Sequence, residues 1–360
     1  MILNIGLVGP LPPPYGGMAN QANQLYQLLQ QEKGVNVSFV QTNEPYANAL
    51  IGKFKGLRAF FRLISYVGKV YTLAGQVDVI HVMANSGWSW QLFSAPVIWL
   101  AYLRKTPVII NYRGGEAKTY FDKSIKWVKP SMSKANTIVV PSGYLRQVFS
   151  EFGFDCQVIP NIINLERFKQ ASKRSLNANQ PHLIITRNLE AIYGIETAIK
   201  AVAIVKEKNP NIKLSIAGSG PLREELQRLV VELELQENVN FTGKIPPEEV
   251  ARLYQEADIM LNPTTVDNMP NSVLEAMASR VAIITTNVGG IPYIVADYKT
   301  ALLVAVNDVD AMAAKIMELL NDKKLHEKLV SNGMLEVQQY SWEHIKKQWL
   351  GLYQMLGDKK

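Results

Sequence analysis

Residues 258–278 read Asp258-Ile259-Met260-Leu261-Asn262-Pro263-Thr264-Thr265-Val266-Asp267-Asn268-Met269-Pro270-Asn271-Ser272-Val273-Leu274-Glu275-Ala276-Met277-Ala278. Asp258–Leu261 ends in a short apolar run of strand type, and two prolines punctuate the polar loop after it. From Asn271 onward apolar side chains recur at helical spacing, with Asn271 or Ser272 as the expected N-cap. The next apolar run, Val281–Thr285, follows at once. A strand, a loop, a helix and a second strand in this compass predict a βαβ unit.

The alternation extends both ways along the chain. Strands are predicted at Leu3–Val8, Val35–Val40, Val77–Val82, Pro107–Tyr112, Asn136–Val140 and Gln157–Ile159. A second series covers His182–Thr186, Lys213–Ala217, Val239–Thr242, Asp258–Leu261, Val281–Thr285 and Ala301–Val304. Many are continuous apolar runs, as suits strands buried on both faces of a parallel sheet. Helical patterns such as Gly17–Gln31, Ile195–Lys208, Leu222–Glu234 and Ala311–Leu320 separate them. The fold class is therefore α/β, with two Rossmann-like, doubly wound parallel-sheet domains. The expected boundaries are 1–168 for the first domain, 169–180 for a polar linker, 181–340 for the second domain and 341–360 for a final helix.

The 360 residues match about two domains. Apolar residues at 48% and charged residues at 19% exclude a disordered or fibrous chain. The single cysteine, Cys156, excludes an intrachain disulfide and a cysteine-based zinc site, and fits a reducing compartment. No basic leader precedes the first strand, and the apolar stretch Leu92–Leu103 is too short to span a bilayer. A cytoplasmic protein, at most peripheral on the inner face of a membrane, is expected. Residues 1–168 hold 16 Lys and Arg against 8 Asp and Glu, whereas residues 169–360 hold 22 against 23. The first half is thus the one suited to an anionic partner. No nucleic-acid-reading module accompanies that charge.

Ligands of open α/β sheets bind at the carboxyl ends of strands, so the corners carry the functional information. After the first strand, Gly16-Gly17 opens a helix and reads either as an anion-facing turn or as a plain glycine turn. Arg187 ends the strand His182–Thr186 and can grip a phosphate or make a surface ion pair. Gly218-Ser219-Gly220-Pro221 either approaches a ligand or simply turns the chain. In the segment quoted first, the helix start at Asn271–Ser272 suits a diphosphate, and Asp267 and Glu275 suit sugar or ribose hydroxyls. Asp308-Val309-Asp310 has the form of a metal-binding pair but precedes a helix, and it reads as a cap.

Together these motifs resemble the GT-B glycosyltransferases, in the large retaining family 4. Asp267 and Glu275 are spaced as that family's Glu-x7-Glu motif, with Asp in the first place. Gly16-Gly17, Arg187, Gly218-Ser219-Gly220-Pro221, Phe241-Thr242-Gly243, Gly289-Gly290-Ile291-Pro292 and Pro160-Asn161 match further landmarks in order. The resemblance implies two domains facing a cleft, a nucleotide-diphosphate sugar as donor substrate, and no cofactor or metal. A donor site is implied at Gly16, Gly17, Arg187, Tyr193, Gly218, Gly243, Lys244, Asn271, Ser272 and Glu275. Catalytic roles are implied for Asp267, Arg113, Arg187 and Glu275, and an acceptor side at His81, Arg113 and Glu116. The acceptor implied is a glycan or lipid-linked glycan of a surface polysaccharide or lipopolysaccharide, and the final helix would pack back on the first domain.

Four positions depart from the family pattern. Tyr193 stands where a lysine is usual, Arg113 where a histidine is usual, and Tyr293 where a glutamate is usual. Arg113 is read as restoring positive charge at the diphosphate. Arg280 takes the place of a helix-ending glycine, a position that demands positive φ. These departures keep two other readings open: a nucleotide-sugar-binding or scaffolding subunit without catalysis, and a GT-B nucleotide-sugar epimerase.

Lys53–Tyr71 reads as an amphipathic helix with Phe54, Leu57, Phe60, Phe61, Ile64, Val67 and Tyr71 on one side. Lys55, Arg58, Arg62 and Lys69 lie on the other. It either lies on anionic lipid or packs on the core with a solvated basic face. The aromatic residues Trp88, Trp90, Phe93 and Trp99 line an acceptor groove or belong to the core.

Overall fold

The computed structural model describes residues 2–44, 55–169 and 176–358, and side chains of residues 55–61 lie outside the described set. Its contacts divide the chain into two units, one of Met1–Ile162 with Ile345–Lys360 and one of Ile163–His344. The expected linker falls partly on residues 170–175, outside the described residues.

The first unit holds strands β1 (Leu3–Gly9), β2 (Val35–Gln41), β3 (Val79–Ala84), β4 (Val108–Tyr112), β5 (Thr137–Val140) and β6 (Gln157–Val158). They form one parallel sheet in the order β2-β1-β3-β4-β5-β6. Helices α1 (Gly17–Gln30), α2 (Lys55–Gln76), α3 (Ala95–Leu103), α4 (Ala117–Met132) and α5 (Gly143–Glu151) connect them. Every residue of β3 and β4 is buried, which explains why the centre of the sheet reads as continuous apolar sequence. Val70, Trp90, Ile98, Tyr112, Phe121 and Phe149 anchor the core over it.

The second unit begins with a short helix α6 (Leu165–Phe168), then alternates β7 (His182–Ile185), α7 (Ile195–Lys206), β8 (Lys213–Ala217), α8 (Arg223–Glu232), β9 (Val239–Gly243), α9 (Pro247–Glu256), β10 (Ile259–Asn262), α10 (Asn271–Ala278), β11 (Ala282–Thr286) and β12 (Leu302–Val304). Helices α11 (Val309–Asn321), α12 (Lys323–Glu336) and α13 (Trp342–Gly357) follow. The parallel sheet runs β12-β11-β10-β7-β8-β9. Sequence order reverses between β7 and β10, and in the first unit between β1 and β3. Such switch points leave a crevice at the carboxyl ends of the strands.

Three local expectations are corrected. The N-cap of α10 is Pro270, not Asn271 or Ser272, and no side chain caps that helix. Proline supplies the extended backbone that an N-cap needs, so the helix starts one residue earlier than a polar cap would place it. On α2 the inward face includes Tyr66, Val70, Leu73 and Ala74, while Ile64 and Tyr71 are exposed. Phe54 lies outside the described residues, as do the side chains of Lys55, Leu57, Arg58, Phe60 and Phe61. Finally, Trp90 is buried but Trp88 and Trp99 are exposed, so the four aromatics are not one cluster. Arg280 does adopt φ 58°, and Asp308 caps α11 by accepting a 2.9 Å bond from the Ala311 amide.

Candidate active site

In the second unit the switch point collects several residues expected at a donor site. Arg187 follows β7 and Asp267 follows β10, and one guanidinium Nη2 bonds to the Asp267 carboxylate. Both side chains are largely buried, at 13% and 12% exposure, so the pair is only weakly screened. The guanidinium also lies over the Tyr193 ring, 4.1 Å from its centroid. Tyr193 thus occupies the flank of Arg187, where the family pattern has a second cation. Burial pushes its phenol up, and Arg187 opposes that shift. The Arg187 Nε is buried and bonds to nothing. A desolvated donor without an acceptor is unfavourable by about 1–3 kcal/mol, and it marks where an acceptor-rich ligand fits.

The glycines of this region fit loop to loop. A Cβ on Gly218 would stand 2.0 Å from the Arg187 carbonyl oxygen, and one on Gly194 would stand 2.1 Å from that of Pro263. Gly289 and Gly290 make the same approach to the Asp267 and Asn268 carbonyls, at 2.1 and 1.7 Å. The glycine landmarks therefore fix the positions of Arg187 and Asp267 by letting neighbouring loops interlock. Gly243 ends β9 at φ 73°, and its carbonyl accepts from the Gly218 amide at 2.9 Å. Lys244, next to it, is exposed.

At α10 the Ser272 hydroxyl is buried and has no partner. Glu275 lies one turn further on, and burial pushes its carboxyl up to about 7. Tyr254, which the sequence did not single out, organises this corner. Its hydroxyl donates to the Ser272 carbonyl at 3.0 Å and lies 2.5 Å from the Thr186 hydroxyl, which must then be a donor to it. Glu275 competes with the Ser272 carbonyl for the one Tyr254 hydroxyl proton, and when it receives that bond the upward shift is opposed. Asn271 is the first residue of α10.

The first unit holds a second polar cluster. His81 lies inside β3 and is fully buried, not at a strand end. It stacks on Trp349 of α13 at 4.6 Å. Arg113, just past β4, donates from Nε to the Asn111 side-chain oxygen at 2.9 Å, and Nη1 donates to the Asn161 oxygen. A guanidinium can only donate, so Asn111 must turn its oxygen toward Arg113 and its NH2 toward His81 Nε2, 2.8 Å away. The histidine proton then sits on Nδ1, which donates to the Tyr353 hydroxyl at 2.7 Å. Burial, with Arg113 adding to it, pushes His81 down to about 3, so the ring is neutral. Burial alone lowers Arg113 to about 10. Both side chains that accept from it, Asn111 and Asn161, are neutral amides.

Gly16 and Glu116 are less committed. Gly16 is extended at φ −168° with open space where a Cβ would go, so sterics do not require glycine there. Gly17 is the first residue of α1, whose N-terminus no side chain caps. Glu116 is exposed at the N-cap position of α4 and makes no capping bond. The sequence reading gave no site role to Asn111, Asn161, Trp349 or Tyr353. Asn111 carries the one usable signal, an amide inside an otherwise apolar buried strand. Among the described residues, no three His, Cys, Asp or Glu side chains gather as metal ligands.

Two doubly wound parallel-sheet units, each with polar groups at its switch point, define the GT-B architecture. Residues 15–167 match the family model described as Glycosyltransferase Family 4, and residues 166–335 match that of Glycosyl transferases group 1. The chain belongs to these glycosyltransferase families. It is 29% identical over 200 residues to a D-inositol 3-phosphate glycosyltransferase of Corynebacterium urealyticum, covering 53% of this chain and 47% of that protein. It is 27% identical over 244 residues to the alpha-monoglucosyldiacylglycerol synthase of Streptococcus pneumoniae, covering 61% and 53%. The chain spans about half the length of the curated relatives it matches. Among solved structures, the sucrose-phosphate synthase of Thermosynechococcus elongatus superposes with a TM-score of 0.79 at 22% identity, covering 99% of this chain and 100% of that one.

Proposed function

We propose that this protein transfers a sugar from a nucleotide-diphosphate sugar to a glycan or lipid-linked acceptor. Transfer proceeds with retention and without a metal, in the assembly of a surface polysaccharide or lipopolysaccharide at the inner face of a membrane. The observation that carries this reading is the Arg187 corner. A largely buried guanidinium has an orphaned Nε, and the α10 N-terminus has an uncapped start with an orphaned Ser272 hydroxyl. All are donors awaiting acceptors, and a diphosphate is rich in acceptors. The relatives named for sugar transfer to inositol phosphate and to a diacylglycerol product support the acceptor class.

Bond breaking at the anomeric carbon leaves negative charge on the departing diphosphate. Arg187 and the start of α10 stabilise that charge with dipoles already in place. Arg187 is neutralised by Asp267 in the unliganded protein, so the diphosphate displaces or shares that partner. Asp267, released, orients sugar hydroxyls, and Glu275 in its ionised form accepts from the ribose. In the same-face course, the leaving phosphate takes the acceptor proton.

The test is a thermal-shift panel with UDP, GDP, ADP, dTDP and CMP, followed by transfer with the stabilising nucleotide's sugars. A ligand that binds only the folded protein raises Tm. A shift with one nucleoside diphosphate, and turnover lost in Asp267→Ala and Glu275→Ala, is expected. Binding without transfer or donor hydrolysis would move the protein to the non-catalytic subunit reading, and conversion of the free nucleotide sugar to its epimer would move it to the epimerase.

A further inference from the structure

We propose that the outer faces of α3 and α4 form a docking surface for an anionic lipid bilayer. The inference deepens the membrane part of the reading above and rests on it. Helix α3, Ala95-Pro96-Val97-Ile98-Trp99-Leu100-Ala101-Tyr102-Leu103, has no charged residue and no polar face. Val97, Ile98 and Ala101 are buried, whereas Trp99, Tyr102 and Leu103 are exposed, Leu103 at 71%. A helix that is apolar all round is one covered all round, and the described residues of this chain leave that side open. On the neighbouring α4, Trp127 is 78% exposed.

The kind of partner follows from the rim. Arg104 and Lys105 close α3, and Lys123, Lys126 and Lys129 stand on the exposed side of α4. Lys134 places its ammonium 4.5 Å from the Tyr102 ring centroid, and Arg104 lies over the ring of exposed Tyr71 at 4.7 Å. Asp122 is the one acid on the exposed side of α4. Tryptophan and tyrosine with one apolar end and one wet end, ringed by cations with apolar stems, match the headgroup layer of an anionic leaflet. The basic face of α2 is a weaker candidate. Arg62 donates to the Thr42 carbonyl and Lys69 pairs with Glu44 at 2.5 Å, so both are already engaged.

The test is co-sedimentation of the full chain with liposomes of phosphatidylcholine alone or with phosphatidylglycerol added. Binding is expected only with phosphatidylglycerol. Leu103→Glu is expected to lower partitioning more than about tenfold, and Lys126→Ala and Lys129→Ala roughly fivefold each. These positions are exposed, and an unchanged melting temperature shows that each variant is folded. No binding by the parent protein, or unchanged binding by the folded variants, overturns the proposal. So does a concentration-dependent dimer that Leu103→Glu dissociates, since a second copy would then own the surface. The nucleotide shift and transfer to a soluble acceptor need no lipid, so a failure here leaves the donor-site reading standing.

Discussion

The two units hold their key arginines in opposite ways. Arg187 has a carboxylate, Asp267, and keeps an unsatisfied Nε. Arg113 has only amide oxygens, and burial lowers its basicity. The first is a neutralised pair that a ligand must open. The second is an enclosed cation that an incoming anion would relieve. Charge in the second unit is therefore gated by exchange, and in the first it is stored.

The largest effect should come from breaking the pair. Asp267→Ala strands Arg187, and a drop of about 3–5 kcal/mol in unfolding free energy is expected in denaturant titration of the unliganded protein. Nucleoside diphosphate should recover much of that loss, because its phosphates replace the missing carboxylate. An Asp267→Ala protein as stable as the parent would break the comparison. Arg113→Met should cost less: it removes a buried charge and no counterion but strands the Asn111 oxygen, so a loss of about 1–3 kcal/mol is expected, while turnover falls.

Next in size is the pH dependence of Glu275. Its folded pKa of about 7 lies above the usual 4.5, so the folded protein holds the proton more tightly than the unfolded chain. The stabilising contribution is full below about 4.5 and is lost as pH rises through 7. Glu275→Gln should accordingly melt higher than the parent at pH 8, with the gap closing toward pH 4.5. Nucleotide affinity should move the other way in the parent, rising from pH 6 to pH 8 as the carboxylate forms. Calorimetric titration at those two values checks it, and a flat profile would remove Glu275 from the ribose. The smallest effect is expected for Tyr353→Phe. It removes the acceptor for His81 Nδ1–H, at about 1 kcal/mol in a melt, and loosens the orientation of Asn111 and Arg113.

Much of this was readable before any coordinates. Continuous apolar strands betray a sheet buried on both faces, and Arg187, Asp267 and Glu275 sit at corners that the strand pattern locates. Positive φ at Arg280 was legible because a helix end constrains one residue locally. What stayed hidden is non-local. The chain from Tyr353 through His81 and Asn111 to Arg113 includes one link across 272 positions, and no periodicity encodes it. Ile64 and Tyr71 of α2, read with the apolar side of the helix, are exposed, because only packing decides which apolar positions are covered. The start of α10 near Asn271 was legible, but its N-cap was not, because Pro270 does by backbone geometry what a polar cap does by hydrogen bonding.

Helix α13 lies over His81 with Trp349 and Tyr353, and it belongs to the same unit as β1 although the whole second unit is encoded between them. On the ribosome, the second unit can complete its core while the first still lacks the residues that cover β3. The first unit thus stays unfinished, with His81 uncovered, until α13 has been made.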